Sequence, residues 1–140
     1  MEDLLTVRDL SVYYENEKLY KAVDNVSFTL KTGENIGVIG ESGSGKTSIA
    51  MAIMGLLKAN SKVQGEIIYK DKNILKLKDE EKDGYRWDKI ALVFQNSLEV
   101  LNPVLNIKEQ ILETIYKHSH IDRKEALNKS KKSIENDKIK

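Results

Sequence analysis

Gly40-Glu41-Ser42-Gly43-Ser44-Gly45-Lys46-Thr47 fits the pattern G-x-x-x-x-G-K-[ST] in full, and a loop of that pattern cradles phosphates. Gly43 and Gly45 allow backbone angles that a side chain penalises, and they let the main chain approach an anion closely. Successive N–H groups then point into one concavity. A helix starting there adds the partial positive charge of its N-terminus. Lys46 reaches toward the β- and γ-phosphates of a nucleotide, and the Thr47 hydroxyl ligates Mg²⁺. Ser48 follows in the first helical turn and completes the candidate phosphate-binding set. The flanks suit the motif. Asn35-Ile36-Gly37-Val38-Ile39 is a short apolar run that predicts a buried strand, and Ser48 to Leu57 is an apolar run of helical length. Strand, glycine loop and helix in that order speak against a chance glycine- and serine-rich turn.

The 140 residues suit one domain with a real core. Lysine and arginine number 23 against 22 aspartates and glutamates, so the net charge is +1. No basic excess points to nucleic acid. Cysteine is absent, which excludes a disulfide framework and a thiolate metal site. Met1-Glu2-Asp3 is acidic and leads into no long apolar core, so no secretory signal is expected. The longest apolar run, Ile49 to Leu57, is far short of the ~20 residues that cross a bilayer. A role at a membrane is therefore expected to come through a partner.

Leu4 to Val12 and Val23 to Leu30 alternate apolar with polar residues and predict half-buried strands, joined by a loop at Glu15-Asn16-Glu17-Lys18. Lys31-Thr32-Gly33-Glu34 predicts a turn. Beyond the first helix, Lys58 to Lys62 reads as a polar loop, Gly65 to Tyr69 as a strand and Asp71-Lys72-Asn73 as a turn. Asp79 to Arg86 reads as a short helix. Ile90 to Phe94 is a continuous apolar run, which predicts a central parallel strand buried on both faces. Ile107, Ile111 and Ile115 repeat at helical spacing, with Leu112 and Tyr116 beside them, and predict an amphipathic helix. Asp122 to Lys140 is rich in lysine and asparagine and fits either a surface helix or a polar tail. His118 and His120 sit at the polar end of a helix and are not expected to be catalytic.

Further residues select a family. Val7-Arg8-Asp9-Leu10-Ser11-Val12-Tyr13-Tyr14, then Ala22-Val23-Asp24-Asn25-Val26-Ser27-Phe28, then Gly33-Glu34, resemble the opening of an ABC transporter ATP-binding subunit. Val93-Phe94-Gln95-Asn96 is similar to that family's Q-loop in type and in distance from the glycine loop. Glu41 to Lys46, with Leu101-Asn102-Pro103, resembles the oligopeptide and dipeptide importer branch. The resemblance runs from about Leu4 to Ile115. It implies an α/β P-loop NTPase (RecA-like) core with an antiparallel β subdomain, truncated within the helical subdomain. Residues 1–121 would be a partial nucleotide-binding domain, and 122–140 a polar helix or tail.

The resemblance also implies roles. ATP and Mg²⁺ are the expected cofactors. Tyr14 takes the place of the adenine-stacking aromatic, with Tyr13 as the second candidate because adjacent strand residues face opposite sides. Taken from the residues alone, Tyr14 reads first as an ordinary strand-end tyrosine, since aromatics commonly occupy strands. Gln95 would reach Mg²⁺ and the γ-phosphate side, an amide serving because its oxygen accepts from cations and its nitrogen donates to oxyanions. The expected partners are transmembrane permease subunits and a second ATP-binding subunit arranged head to tail. The expected location is the inner face of the plasma membrane, held there by those partners. Residues 96–106 are the candidate surface for the permease.

The chain also departs from the family. No LSGGQ-type loop, no Walker B strand ending in Asp-Glu and no switch histidine occurs in these residues, and no Gly-Gly pair occurs anywhere. The chain by itself is thus expected to bind ATP without hydrolysing it. A non-catalytic remnant or nucleotide-binding regulatory module is the alternative reading. A GTPase or small-molecule kinase is disfavoured, because the Asn-Lys-x-Asp pattern is absent and the three arginines (Arg8, Arg86, Arg123) lie far from the glycine loop in sequence.

Overall fold

Strand β1 (Asp3–Glu15) and strand β2 (Leu19–Lys31) form a long antiparallel hairpin around the loop 16–18. The structure, a computed structural model, describes residues 2–86, 88–94, 101–119 and 121–136. The chain divides into two compact units, Met1–Leu92 and Val93–Lys140.

In the first unit, helix α1 (Lys46–Met54) is followed by strands β3 (Ser61–Tyr69) and β4 (Lys72–Asn73), a 3₁₀ turn (Ile74–Lys76) and helix α2 (Asp79–Tyr85). The sheet order is β2-β1-β3-β4, and every pairing is antiparallel. Leu5, Val7, Leu10, Val12, Val23 and Ile67 are buried from the sheet, and Ala52, Ile74 and Tyr85 are buried with them. Ile49, Ile53 and Leu57 pack against that core from α1 and just beyond it. The Tyr85 ring meets Tyr69 edge-on, with centroids 5.3 Å apart and planes at 73°. The buried Tyr85 hydroxyl has no hydrogen-bond partner among the described residues, and burial pushes its pKa above the ordinary phenol range.

The strand pattern holds a phase shift. Leu5 and Val7 face the core on odd positions, but Leu10 and Val12 face it on even ones. A side-chain period of two allows this only if an extra residue is inserted. The register breaks between Val7 and Leu10 against β2, and between Arg8 and Ser11 against β3. Asp9 there adopts φ 49°, and Asn25 on the partner strand adopts φ 50°. Hydroxyls serve the backbone groups that leave the ladder. The Asp9 N–H donates to Ser27 Oγ at 2.8 Å, and the Asn25 N–H donates to Ser11 Oγ at 2.9 Å. Gly65 of β3 faces this bulge at φ 98°, and a Cβ there would lie 2.5 Å from the carbonyl oxygens of both Arg8 and Asp9.

Several expectations require correction. The run 35–39 is not a buried strand: it carries no strand assignment, and Ile39 is 97% exposed. The run 90–94 is not a strand either. Ile90 makes one isolated parallel bridge to Arg86, residues 91–94 are irregular, and Val93 is 87% exposed. The reason is the same for both. An apolar run becomes a buried strand only when neighbours take up its N–H and C=O groups, and among the described residues no strand pairs with either run. Smaller shifts occur elsewhere. Ser61 and Lys62 belong to β3 rather than to a loop, and the turn after β3 sits at Lys70-Asp71, with Lys70 at φ 51°.

In the second unit, helix α3 (Ile107–His118) and helix α4 (Arg123–Asn136) pack together and bury Leu112 and Ala126. Each begins on a capping side chain. Asn106 Oδ1 accepts from the Glu109 N–H at 2.9 Å, and Asp122 Oδ1 accepts from the Glu125 N–H at 2.8 Å. The polar segment after Asp122 is therefore a helix over most of its length.

Gly65→Ala should cost about 3 kcal/mol of stability, combining left-handed strain with two carbonyl clashes. Gly84→Ala in α2, where an added Cβ meets nothing within 4 Å, should instead stabilise by about 0.5–1 kcal/mol. Urea unfolding midpoints of the two variants should move in opposite directions.

Candidate functional site

Helix α1 starts on a residue that offers no side chain. Its N-cap is Gly45, at φ 90°, and no side chain caps the first turn. That turn carries no acidic residue either. The exposed N–H groups and the positive end of the helix dipole are thus left for an external anion. Gly43, at φ 80°, bends the loop that leads in.

Lys46 is tied to its own loop. Its ammonium donates to the Gly40 carbonyl at 2.7 Å, to the Glu41 carbonyl at 2.6 Å and to Ser44 Oγ at 3.3 Å. Three acceptors match the three protons of an ammonium. The charge is thereby held over the loop while the loop is bent around it. The Ser44 bond is the longest and is the one an anionic oxygen would replace first.

The hairpin supplies the other wall. A cavity of 180 Å³ is lined by Tyr14, Tyr20 and Ala22 from β1 and β2 and by 43–48 from the loop and α1. It is smaller than the ~300–1,000 Å³ that encloses a whole drug-sized ligand, so a nucleotide would lie across it rather than inside it. A Cβ on Gly45 would collide with the Ala22 carbonyl oxygen and press on Val23. Glycine is required there both by its φ and by the closeness of β2. The Tyr14 hydroxyl donates to Ser48 Oγ at 3.1 Å and so pins the ring to the first turn of α1.

The far end of α1 is also fixed. Gly55, at φ 61°, ends the helix, and its N–H and that of Leu56 return to the Ala52 and Met51 carbonyls. Arg86 then caps what remains: Nε donates to the Met54 carbonyl at 2.9 Å, and Nη2 donates to the Gly55 carbonyl. A cation at a helix C-terminus is favoured by the same dipole that favours an anion at the other end.

The structure gathers Tyr14, Gly43, Ser44, Gly45, Lys46, Thr47 and Ser48 around one cavity. Gly40 and Glu41 contribute only their carbonyls to Lys46, and Ser42 does not line the cavity. Tyr13 is excluded. It faces the other side of the sheet, with Lys21 Nζ over its ring at 5.4 Å and its hydroxyl 3.5 Å from Gln64. Gln95 lies outside the described residues, as do 96–100 of the segment considered for a permease surface. Sequence reasoning missed Tyr20, Ala22 and Arg86. Tyr20 was accessible by counting, since a hairpin that pairs Glu15 with Leu19 must also set Tyr14 opposite Tyr20. Arg86 carried no local signal.

Known proteins bear on this geometry. The family model for ABC transporters matches residues 23–140. The oligopeptide transport ATP-binding protein OppD of Haemophilus influenzae is 37% identical over 136 residues, which is 96% of this chain and 42% of that protein. OppD of Escherichia coli is 35% identical, with 94% of this chain and 40% of that protein aligned. The dipeptide transport ATP-binding protein DppD of Lactococcus lactis is 38% identical, with 84% and 34% aligned. The chain thus spans about two fifths of the length of the curated relatives it matches. Among solved structures, the dimeric structure of MJ0796, a bacterial ABC transporter cassette, superposes with a TM-score of 0.76 at 27% identity, covering 94% of this chain and 56% of that one. A post-hydrolysis state of the same cassette, bound to ADP and Pi, matches equally. The described fold matches that of an ABC transporter cassette, and the chain belongs to the ABC transporter family.

Proposed function

We propose that this chain carries the nucleotide-grasping part of the ATP-binding subunit of an ABC-type peptide importer, and that residues 1–121 form that partial nucleotide-binding domain. The observation that carries the proposal is the uncapped N-terminus of α1, with the Lys46 ammonium held by carbonyls of the loop that precedes it and the Tyr14 hydroxyl bonded to Ser48 of its first turn. The phosphates of ATP meet the N–H groups of 43–48 and the lysine charge, and the base stacks on Tyr14. The relatives named for oligopeptide and dipeptide transport support peptide as the transported class.

The residues present fit magnesium. Mg²⁺ is commonly held by one or two protein ligands plus substrate phosphates, and the exposed Thr47 hydroxyl lies at the cavity. When bound, the ion would neutralise charge on the β- and γ-phosphates. Gln95 is proposed as a further magnesium and γ-phosphate contact, on its sequence position alone. The dimeric cassette neighbour supports pairing with a second ATP-binding subunit. No helix among the described residues is long and apolar enough to cross a membrane, which suits attachment to the inner face through permease subunits.

Calorimetric titration with Mg-ATP tests the site. Lys46→Ala should weaken binding about 10- to 100-fold, the worth of a lost charge-assisted hydrogen bond. Gly45→Ala should weaken it comparably by pushing α1 away from β2. Unchanged affinity in both variants would defeat the proposal.

A second measurement concerns turnover. Phosphoryl transfer needs a residue that orients the attacking water and an acid that helps hold the metal, and the 140 residues contain neither a Walker B acid pair nor a signature loop. The purified chain should therefore bind ATP and release no phosphate. Steady phosphate release that disappears in Lys46→Ala would contradict this.

A further inference from the structure

We infer that Tyr20 is a second base-contacting residue, and that with Tyr14 it makes a two-ring platform that favours purine over pyrimidine nucleotides. The inference rests on the reading of the cavity as a nucleoside triphosphate site and adds a specificity-determining residue to it.

Three observations carry it. Tyr20 stands directly opposite Tyr14 in the β1–β2 register, so both side chains leave the same face of the hairpin. Both rings line the cavity that ends at Lys46 and Thr47. Tyr20 is 58% exposed, so its ring is not used up in the core. The two residues also differ in anchoring. Tyr14 is anchored through Ser48 to helix α1, while Tyr20 stands at the loop end of the hairpin, one residue from the Glu15–Leu19 pair that closes the loop.

Geometry then sets the preference. Directly opposed residues on antiparallel strands have Cβ atoms ~4.5–5.5 Å apart, so both rings are within reach of one base, and the platform requires them to lie side by side rather than face to face. Such a pair does not sandwich a base. It extends the surface on which a base lies flat. A fused two-ring purine overlaps both tyrosines, whereas a one-ring pyrimidine is satisfied by Tyr14 alone. Stacking is tolerant of base identity because every base has a π-face, so the discrimination comes from the size of the platform.

The competing explanation is an exposed tyrosine that only pairs across strands. Tyr20→Leu separates the two, because leucine keeps an apolar cross-strand contact but has no ring face. Mg-ATP, Mg-UTP and Mg-tripolyphosphate are titrated against the wild-type chain, Tyr20→Leu, Tyr20→Phe and Lys46→Ala. The expected result is a loss of about five- to tenfold for ATP in Tyr20→Leu. UTP should change less than twofold, tripolyphosphate should not change, and Tyr20→Phe should restore ATP affinity. Wild-type ATP affinity in Tyr20→Leu, or an equal loss for ATP and tripolyphosphate, overturns the assignment of Tyr20. Tripolyphosphate binding as tightly as ATP to the wild-type chain, with Lys46→Ala defective for both, overturns the base platform and leaves the phosphate cradle standing. Failure of the wild-type chain to bind either ligand overturns the nucleotide reading and this inference together.

Discussion

The structure turns on the missing side chain at Gly45. The carbonyl of Ala22 in β2 lies where a Cβ would stand, and this close approach sets the start of α1 against the hairpin. Everything in the site follows from that contact. It puts Ser48 within hydrogen-bond reach of Tyr14, and it puts the uncapped turn of α1 at the foot of the two tyrosines. A side chain there would separate the element that holds charge from the element that offers a flat apolar surface.

The site is therefore assembled from two kinds of order. The proposed phosphate end is local. A loop of a few residues bends on glycine, and its own carbonyls position the one cation it contains. The proposed base end is non-local, because Tyr14 and Tyr20 come from different strands and stand opposite each other only through hairpin register. Arg86 adds a third, remote support by capping the opposite end of the same helix. The helix is thus held at both ends, by a close backbone contact at the positive end and by a guanidinium at the negative end.

The hairpin can do this because its strands are bulged. The extra residue near Asp9 lets Leu5, Val7, Leu10 and Val12 all reach one core although their spacing breaks simple alternation. Ser11 and Ser27 receive backbone N–H groups at the bulge, so the irregularity does not leave those donors unpaired. Gly65 makes room for it on the third strand. Bulges increase local twist, and β1 carries such register shifts against both of its neighbours.

Much of this was legible in the residues. The glycine loop, the helix after it and the two hairpin strands were readable because the information is local: glycine where φ is positive, apolar residues at a fixed period, a second glycine where α1 stops. Tyr14 was singled out by resemblance, and its hydroxyl donates to Ser48 Oγ. The runs 35–39 and 90–94 misled, because an apolar run specifies only that a segment would prefer burial. Burial itself needs partner strands, and a local pattern does not contain them. The same limit hid Tyr20 and Arg86, whose roles depend on what lies 6 and 31 positions away in the chain (Tyr14 to Tyr20, Gly55 to Arg86). Sequence alone determined where the backbone bends and which residue brings positive charge to the glycine loop. Only the tertiary structure decided which rings share a face, which helix end an arginine caps and which apolar runs stay uncovered, because those outcomes depend on distance in space rather than distance along the chain.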